Sequence, residues 1–395
     1  IFSVVFDTNI SSTALNNDLL KVQQWAFQWK MNFNPDATKQ AQEVIFSHKT
    51  NKPHHPILLF NQSQVQRSSA QKHLGVILDD KLNFNHHVKC AIDKANKGIS
   101  VLRKLRYYMP RDALIRIYKS FIRSQLDYAD VIYDQPSNIS FTNKLETVQY
   151  NAALAITGAI RGTSKEKLYK EIGIEYLSSR RWFKRLCLFY KIIHDKTPSY
   201  LYSLIPQSYH PFNTRYQYRI PQYYCRTNYF QNSFFPNAIK EWNKLDSEIV
   251  ISDSLECFKK SLLKLIRPVP NSLFDACDPL GIQLLTRLRV GLSHLHDHKF
   301  KHGFRDTINP LCPCNMETES VSHYYLRCLF YINERLSLIN DLLLIVPGIL
   351  QLNDNSLTDL LLYGNKIYSI EINTKILDLS IRYIIATKRF DIPLL

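Results

Sequence analysis

Apolar residues between Thr13 and Phe33 recur at Leu15, Leu19, Val22, Trp25, Ala26 and Trp29, three or four apart, which predicts one amphipathic helix. Trp25 and Trp29 sit one turn apart on it and read as core packing. Asn34-Pro35-Asp36 breaks that period. Three short β-type runs follow, Glu43 to Ser47, Pro56 to Phe60 and His73 to Asp79. From Asn85 to about His194 the period is helical almost throughout, with breaks at Met109-Pro110, Gln135-Pro136-Ser137 and Arg161-Gly162-Thr163. Residues 198 to 240, rich in Tyr, Phe, Pro, Gln and Asn, show no clean period and read as an aromatic connector. Helical spacing returns at Ala238 to Asp246 and Ser254 to Ile266, and Pro268 and Pro270 mark a boundary. The expected fold is mainly α with a small α+β N-terminal part, divided as 1–84, 85–197, 198–270 and 271–395. No internal repeat is evident.

A chain of 395 residues with 45% apolar and 12% aromatic content can bury more than one core, so disorder throughout is excluded. The charge narrows the choice of partner. Fifty Lys and Arg against 34 Asp and Glu give +16. Residues 87 to 200 alone hold 21 basic and 10 acidic residues. Lys89, Lys94, Lys97, Arg103, Lys104, Arg106, Arg111, Arg116, Lys119 and Arg123 recur there among apolar residues. Either they form a solvated helix face or they neutralise phosphates of a nucleic acid, and the shortage of acidic partners favours the second. The longest aliphatic run, Leu342 to Leu350, contains Pro347 and Gly348 and is too short to span a bilayer. The opening Ile-Phe-Ser-Val-Val-Phe has neither an initiator Met nor the basic start of a signal peptide, so a fragment is expected.

Five cysteines are scattered, whereas Cys312, Cys314 and Cys328 crowd around His323 as C-x-C-x8-H-x4-C. Such usage is expected of an intracellular protein. Three thiolates and one imidazole make a closed, structural zinc set, the alternative being unligated cysteines beside a surface His. Five residues are ~140° out of phase on an ideal helix, so the site requires an irregular turn between His323 and Cys328. His294, His296 and His298, with Lys299 and Lys301, read as a hydrated basic segment rather than a metal site. There is no nucleophile elbow, phosphate loop or H-E-x-x-H.

The run His73-Leu-Gly-Val-Ile-Leu-Asp79-Asp-Lys-Leu-Asn-Phe84-Asn-His-His87 resembles the L-G-V-x-L-D-x-x-L-x-F-x-x-H signature of Jockey-type non-LTR retrotransposon reverse transcriptases. Trp25-Ala-Phe-Gln-Trp29-Lys-Met-Asn-Phe33-Asn34 is similar to a segment that follows their catalytic turn. Ser233 to Leu245, Leu285 to Gly291 and the Cys/His set resemble their C-terminal segments and terminal knuckle. The resemblance implies a palm edge over 1–84, a helical thumb over 85–197 and a C-terminal zinc knuckle. It implies RNA and DNA template-primer as partners and a nuclear location, while oligomeric state stays open. It also implies two Mg²⁺ in the intact enzyme, held by an Asp-Asp turn and an upstream Asp. Here Val5-Phe6-Asp7-Thr8-Asn9 stands at that turn, so Asp7 matches one aspartate and Phe6 replaces the other. Lys39 matches a palm lysine that assists pyrophosphate departure, and Asp79 is implied to be structural or primer-side. The chain alone is expected to be inactive, and a non-catalytic nucleic-acid-binding protein is the alternative.

Overall fold

In the computed structural model, residues 4–33, 42–51, 54–61, 63–206, 219–269 and 278–390 are described. The chain forms two compact units, Ile1–Ala91 and Ile92–Leu395. Both are consistent with a mainly helical protein carrying a small α+β part at its start.

The first unit opens with the helix Thr8–Gln28, five residues earlier than its apolar period suggests. Asp7 accounts for the early start, because its Oδ1 accepts the Asn9 and Ile10 amides, both at 2.9 Å. Trp25 and Trp29 do not pack inward: they are 51% and 64% exposed, and Ala26 and Ser12 are the buried positions of this helix. Helical spacing identifies a shared face without saying what covers it. The runs expected at 43–47 and 56–60 shrink to two-residue strands, Gln42–Glu43 parallel to Gln66–Arg67 and Leu59–Phe60 antiparallel to Ser63–Gln64. The helix is tied to the second pair by Asn16, whose Oδ1 accepts the Leu59 amide at 2.9 Å.

The run His73 to Asp79 is two strands rather than one. Leu74 and Gly75 take φ of 44° and 85°, a left-handed pair that reverses the chain between Ala70–His73 and Val76–Asp79. Asp79 then organises the following turn, its carboxylate accepting the Lys81, Asn83 and Phe84 amides at 3.2, 3.0 and 2.7 Å. That cage stabilises Leu82 and Phe84 at φ of 51° and 57° and buries Phe84. His87 Nδ1 accepts the Ile77 amide at 3.4 Å. The signature is thus a folding device in this chain: hairpin, caged turn, helix start.

The second unit is helical. Gly98 lets the helix Asn85–Leu105 lie close to the π-helical segment Tyr118–Arg123, since a Cβ at Gly98 would stand 2.7 Å from Ile122 Cγ1. Leu186, Phe189, Tyr190, Ile239, Trp242, Phe258 and Leu262 form one core cluster. The aromatic connector therefore contributes a packed helix, Phe234–Trp242, as well as Asn228–Gln231. Helices Gly281–Arg289, Ile332–Ile345, Asp354–Tyr363 and Ile370–Ala386 share a second cluster with Tyr324 and Tyr325. Glu171 joins the early and late helices, its Oε1 accepting Arg111 Nη1 at 2.9 Å and Arg289 Nη1 at 3.0 Å. Among the described residues, no helix is long and apolar enough to cross a membrane.

Candidate metal centre and basic helical face

The loop carrying the first two thiols is closed by an antiparallel bridge between Leu311 and Thr318 and by the Cys312 amide, which donates to the Glu317 carbonyl at 2.9 Å. Within it, Cys312-Pro-Cys314-Asn315 turns tightly: the Asn315 amide donates to the Cys312 carbonyl at 2.8 Å, and Asn315 is left-handed at φ 58°. This turn lets a C-x-C spacing aim both sulfurs at one point. The other pair depends on the π-helical segment His323–Arg327, in which the Cys328 amide donates to the His323 carbonyl at 2.8 Å. An i→i+5 bond supplies the irregular turn that the five-residue spacing requires.

Ligand atoms of Cys312, Cys314, His323 and Cys328 all lie within 4.8 Å of one another. Cys312 Sγ and Cys328 Sγ are 3.7 Å apart, and Cys314 Sγ is 3.4 Å from His323 Nε2. Two sulfurs at ~2.3 Å from a tetrahedral ion stand ~3.8 Å apart, so the set fits a metal that takes three sulfurs and one nitrogen. Four protein ligands leave no position for a reacting water, so such an ion is structural.

Glu317, which sequence reasoning missed, holds the other ring nitrogen of His323 at 2.8 Å and is itself gripped by Arg327 at 2.8 and 3.2 Å. Arg327 first and His323 second hold its carboxyl down at about 2. A carboxylate oriented on a ligand histidine fixes which nitrogen faces the ion. An acidic residue between the second Cys and the His was the available signal. Burial raises the Cys312 and Cys328 thiols. Burial opposes ionisation at Cys314 too, but the Met316 amide and the contacts to Cys312 and His323 prevail and bring it to about 7.

Tyr324 and Tyr325, inside the π turn, are fully buried. Their hydroxyls hydrogen-bond Thr387 Oγ1 at 2.7 Å and Ser380 Oγ at 2.8 Å. The site is therefore built into the C-terminal helical core. The histidine segment also departs from a hydrated tail: Asp297 and His298 are buried, and His298 Nδ1 meets Ser293 Oγ at 2.9 Å. Burial brings the His298 imidazole down to about 4.

The basic residues separate into two kinds. Lys94, Lys97, Arg103 and Lys104 are exposed on the helix Asn85–Leu105, where Ala95, Ile99 and Leu102 are buried, and Lys119 is exposed on the π segment. Lys89 is exposed in the first unit. Others are already neutralised. Arg111 is buried against Glu171, Arg116 pairs with Asp112, and Arg123 pairs with Asp127 at 3.0 Å and Glu175 at 3.6 Å. Arg106 is half-buried. Asp7 serves as a helix cap, and among the described residues it belongs to no group of three or more His, Cys, Asp and Glu side chains that could hold a metal ion. Lys39 lies outside the described residues.

No family model matches this chain, and no solved structure matches it. It is 29% identical over 154 residues to the RNA-directed DNA polymerase from mobile element jockey of Drosophila melanogaster, a stretch covering 38% of this chain and 16% of that protein. The counterpart from Drosophila funebris is 29% identical over 156 residues, with the same coverage of 38% and 16%. The matched stretch thus accounts for under a fifth of each relative's length. Over more than a third of its length this chain is similar to Jockey-type RNA-directed DNA polymerases, which supports the resemblance carried by its motifs.

Proposed function

We propose that this chain is a segment of an RNA-directed DNA polymerase of a Jockey-type non-LTR mobile element, and that its task is to hold the RNA–DNA template-primer. The observation that carries this reading is the set of exposed cations Lys94, Lys97, Arg103, Lys104 and Lys119, none of which meets a carboxylate among the described residues. Lys94, Lys97, Arg103 and Lys104 leave the buried Ala95, Ile99 and Leu102 to the apolar side of one helix, and Lys119 adds a cation from the π-helical segment. A phosphate backbone laid on these cations releases its condensed counterions, which drives binding without reading sequence. In this reading residues 85–197 act as the thumb and residues 1–84 as the palm edge. Cys312, Cys314, His323 and Cys328 hold one structural zinc.

Nucleotidyl transfer is assigned to parts of the polymerase outside this chain. Asp7 spends its carboxylate on two helix amides, whereas the two-metal chemistry of the intact enzyme would draw on an Asp-Asp turn and a further Asp. The same observation favours, as a second reading, a non-catalytic nucleic-acid-binding protein. Primer extension with Mg²⁺ tests the lack of catalysis that both readings share: measurable extension by this chain overturns the assignment of Asp7.

The binding claim is tested by fluorescence anisotropy on an RNA–DNA primer-template across a salt series. The combined variant K94A/K97A/R103A/K104A/K119A is expected to flatten the slope of log affinity against log salt by about 4.5, since each of the five phosphate contacts contributes about 0.9. An unchanged slope overturns the proposal.

A further inference from the structure

Two arginines distant in sequence are brought to the end of the helix Ile139–Thr157, one by its main chain and one by its side chain. The Arg106 carbonyl accepts a hydrogen bond from Gln283 Nε2 at 3.1 Å. One turn further along the helix Gly281–Arg289, Arg287 Nε donates to the Gly158 carbonyl at 2.9 Å. Gly158 caps its helix at φ +64°, and a Cβ there would stand 2.3 Å from Gln283 Oε1. Only glycine meets both demands, so these segments approach unusually closely.

Neither guanidinium meets a carboxylate among the described residues. Arg106 donates to the Tyr107 hydroxyl and lies 4.6 Å above that ring, while its Nε is enclosed with no acceptor. Arg287 has the Gly158 carbonyl for its Nε and no described acceptor for its terminal nitrogens. Burial, and after it the charge of Arg106, holds Arg287 below its ordinary value. Two residues along the same helix, Arg289 does the opposite and shares the buried Glu171 with Arg111. At Arg111 and Arg289 the protein supplies a carboxylate. At Arg106 and Arg287 it supplies none, and Gln283 ties the Arg106 main chain to the helix that carries Arg287, which leaves two partly desolvated cations in one neighbourhood, unfavourable until an anion joins them.

We infer that Arg106 and Arg287 form a phosphate-binding pair, with the Tyr107 hydroxyl as a further donor. Guanidinium forks match phosphate oxygens two at a time, and both side chains are half-buried, so they remain reachable from solvent. Gln283 and Gly158 are positioning residues that bring the two arginines together. The ligand is a phosphate group, supplied by a nucleic-acid backbone or by free phosphate. The backbone source rests on the function proposed above, whereas the pair itself does not.

The test follows thermal unfolding of the full chain in sodium phosphate and in sodium chloride of equal ionic strength, for the wild type and for Arg106→Gln, Arg287→Gln and Arg287→Lys. Phosphate is expected to raise the wild-type Tm about 2–4 °C above the chloride control. Both Gln variants lose that rise, and Arg287→Lys, which keeps charge without the fork, retains part of it. In chloride Arg106→Gln unfolds no earlier than the wild type, because a repulsion has been removed, whereas Arg287→Gln also gives up the bond to the Gly158 carbonyl. Equal wild-type Tm in the two salts, or an equal rise in all variants, overturns the pair. The wild type should also broaden the phosphorus-31 line of inorganic phosphate, and an unbroadened line overturns the pair without relying on any variant. Oligonucleotide affinity identifies the source: a backbone phosphate predicts that each Gln variant reduces the salt slope by about one. Phosphate stabilisation with unchanged oligonucleotide binding assigns free phosphate. Phosphate stabilisation in a wild type that binds no oligonucleotide refutes the polymerase reading and leaves the pair standing.

Discussion

Replacing Glu171 by Gln tests whether the helices before residue 200 and those after residue 280 unfold as one body. Glu171 Oε1 accepts from Arg111 and Arg289 at 2.9 and 3.0 Å, and the three side chains are 5%, 2% and 0% exposed for Arg111, Glu171 and Arg289. Both cations are also anchored to later parts of the chain, Arg111 through the Thr286 hydroxyl and Arg289 through the Leu362 carbonyl at 2.5 Å. Glu171→Gln keeps the shape and one acceptor oxygen but leaves two buried guanidiniums without their counter-charge. Breaking a buried pair costs about 3–5 kcal/mol, and two cations depend on this carboxylate, so we expect a loss within that range. Against a native stability of about 5–15 kcal/mol, such a loss is large. Urea unfolding measures it as a lowered midpoint, and hydrogen exchange locates it. Amides of Arg111–Ile117 and Gly281–Arg289 should lose protection together. A loss under about 1 kcal/mol, or loosening of only one of the two helices, refutes the reasoning.

The chain should take up one zinc, and free zinc at a thousandfold its dissociation constant should stabilise it by about 4 kcal/mol. Cys328→Ser is expected to abolish both effects, and equal uptake by that variant would remove Cys328 from the ligand set. His298 is neutral when folded, with its imidazole down at about 4 against an ordinary 6.5. Asp297, Lys301, His302 and Lys167 surround it. Because its folded value is depressed, its contribution is present above pH 6.5 and is lost as pH falls towards 4, by about 2 kcal/mol between pH 7 and 5. His298→Gln should remove that part of the pH dependence, and an unchanged profile would refute the assignment. Gly158→Ala forces a Cβ to 2.3 Å from Gln283 Oε1 at φ +64°, which should cost about 2–4 kcal/mol in urea unfolding. A cost below about 1 kcal/mol would show that Gln283 yields easily.

What periodicity could and could not reveal follows from the range over which each feature acts. Helices were legible because apolar spacing is local: Asn85–Leu105 and Leu255–Ile266 fall where the pattern places them. The strand signal at His73 to Asp79 misled because Leu74-Gly75 reads as two more apolar-compatible residues, whereas their left-handed backbone makes them a turn. The metal cluster was legible because its four candidates lie within one short segment, and even the need for an irregular turn followed from their spacing. Its docking was not, since Tyr325 finds Ser380 55 residues away.

The same distinction governs the charge, where it alters the functional argument. Counting assigns Arg111, Arg116, Arg123, Arg103 and Lys97 equal weight as phosphate contacts. The fold withdraws Arg111 through an acid 60 residues away and Arg123 through acids four and 52 residues away. It leaves Lys94, Lys97, Arg103, Lys104 and Lys119 on the surface without such partners. Arg106 and Arg287 form a third kind, half-buried and 181 positions apart, which no charge count can identify because their lack of a carboxylate exists only after folding. A basic stretch in a sequence therefore sets an upper bound on the cations a polyanion can meet. The cations that remain unpaired once the acids have found their places determine how steeply binding depends on salt.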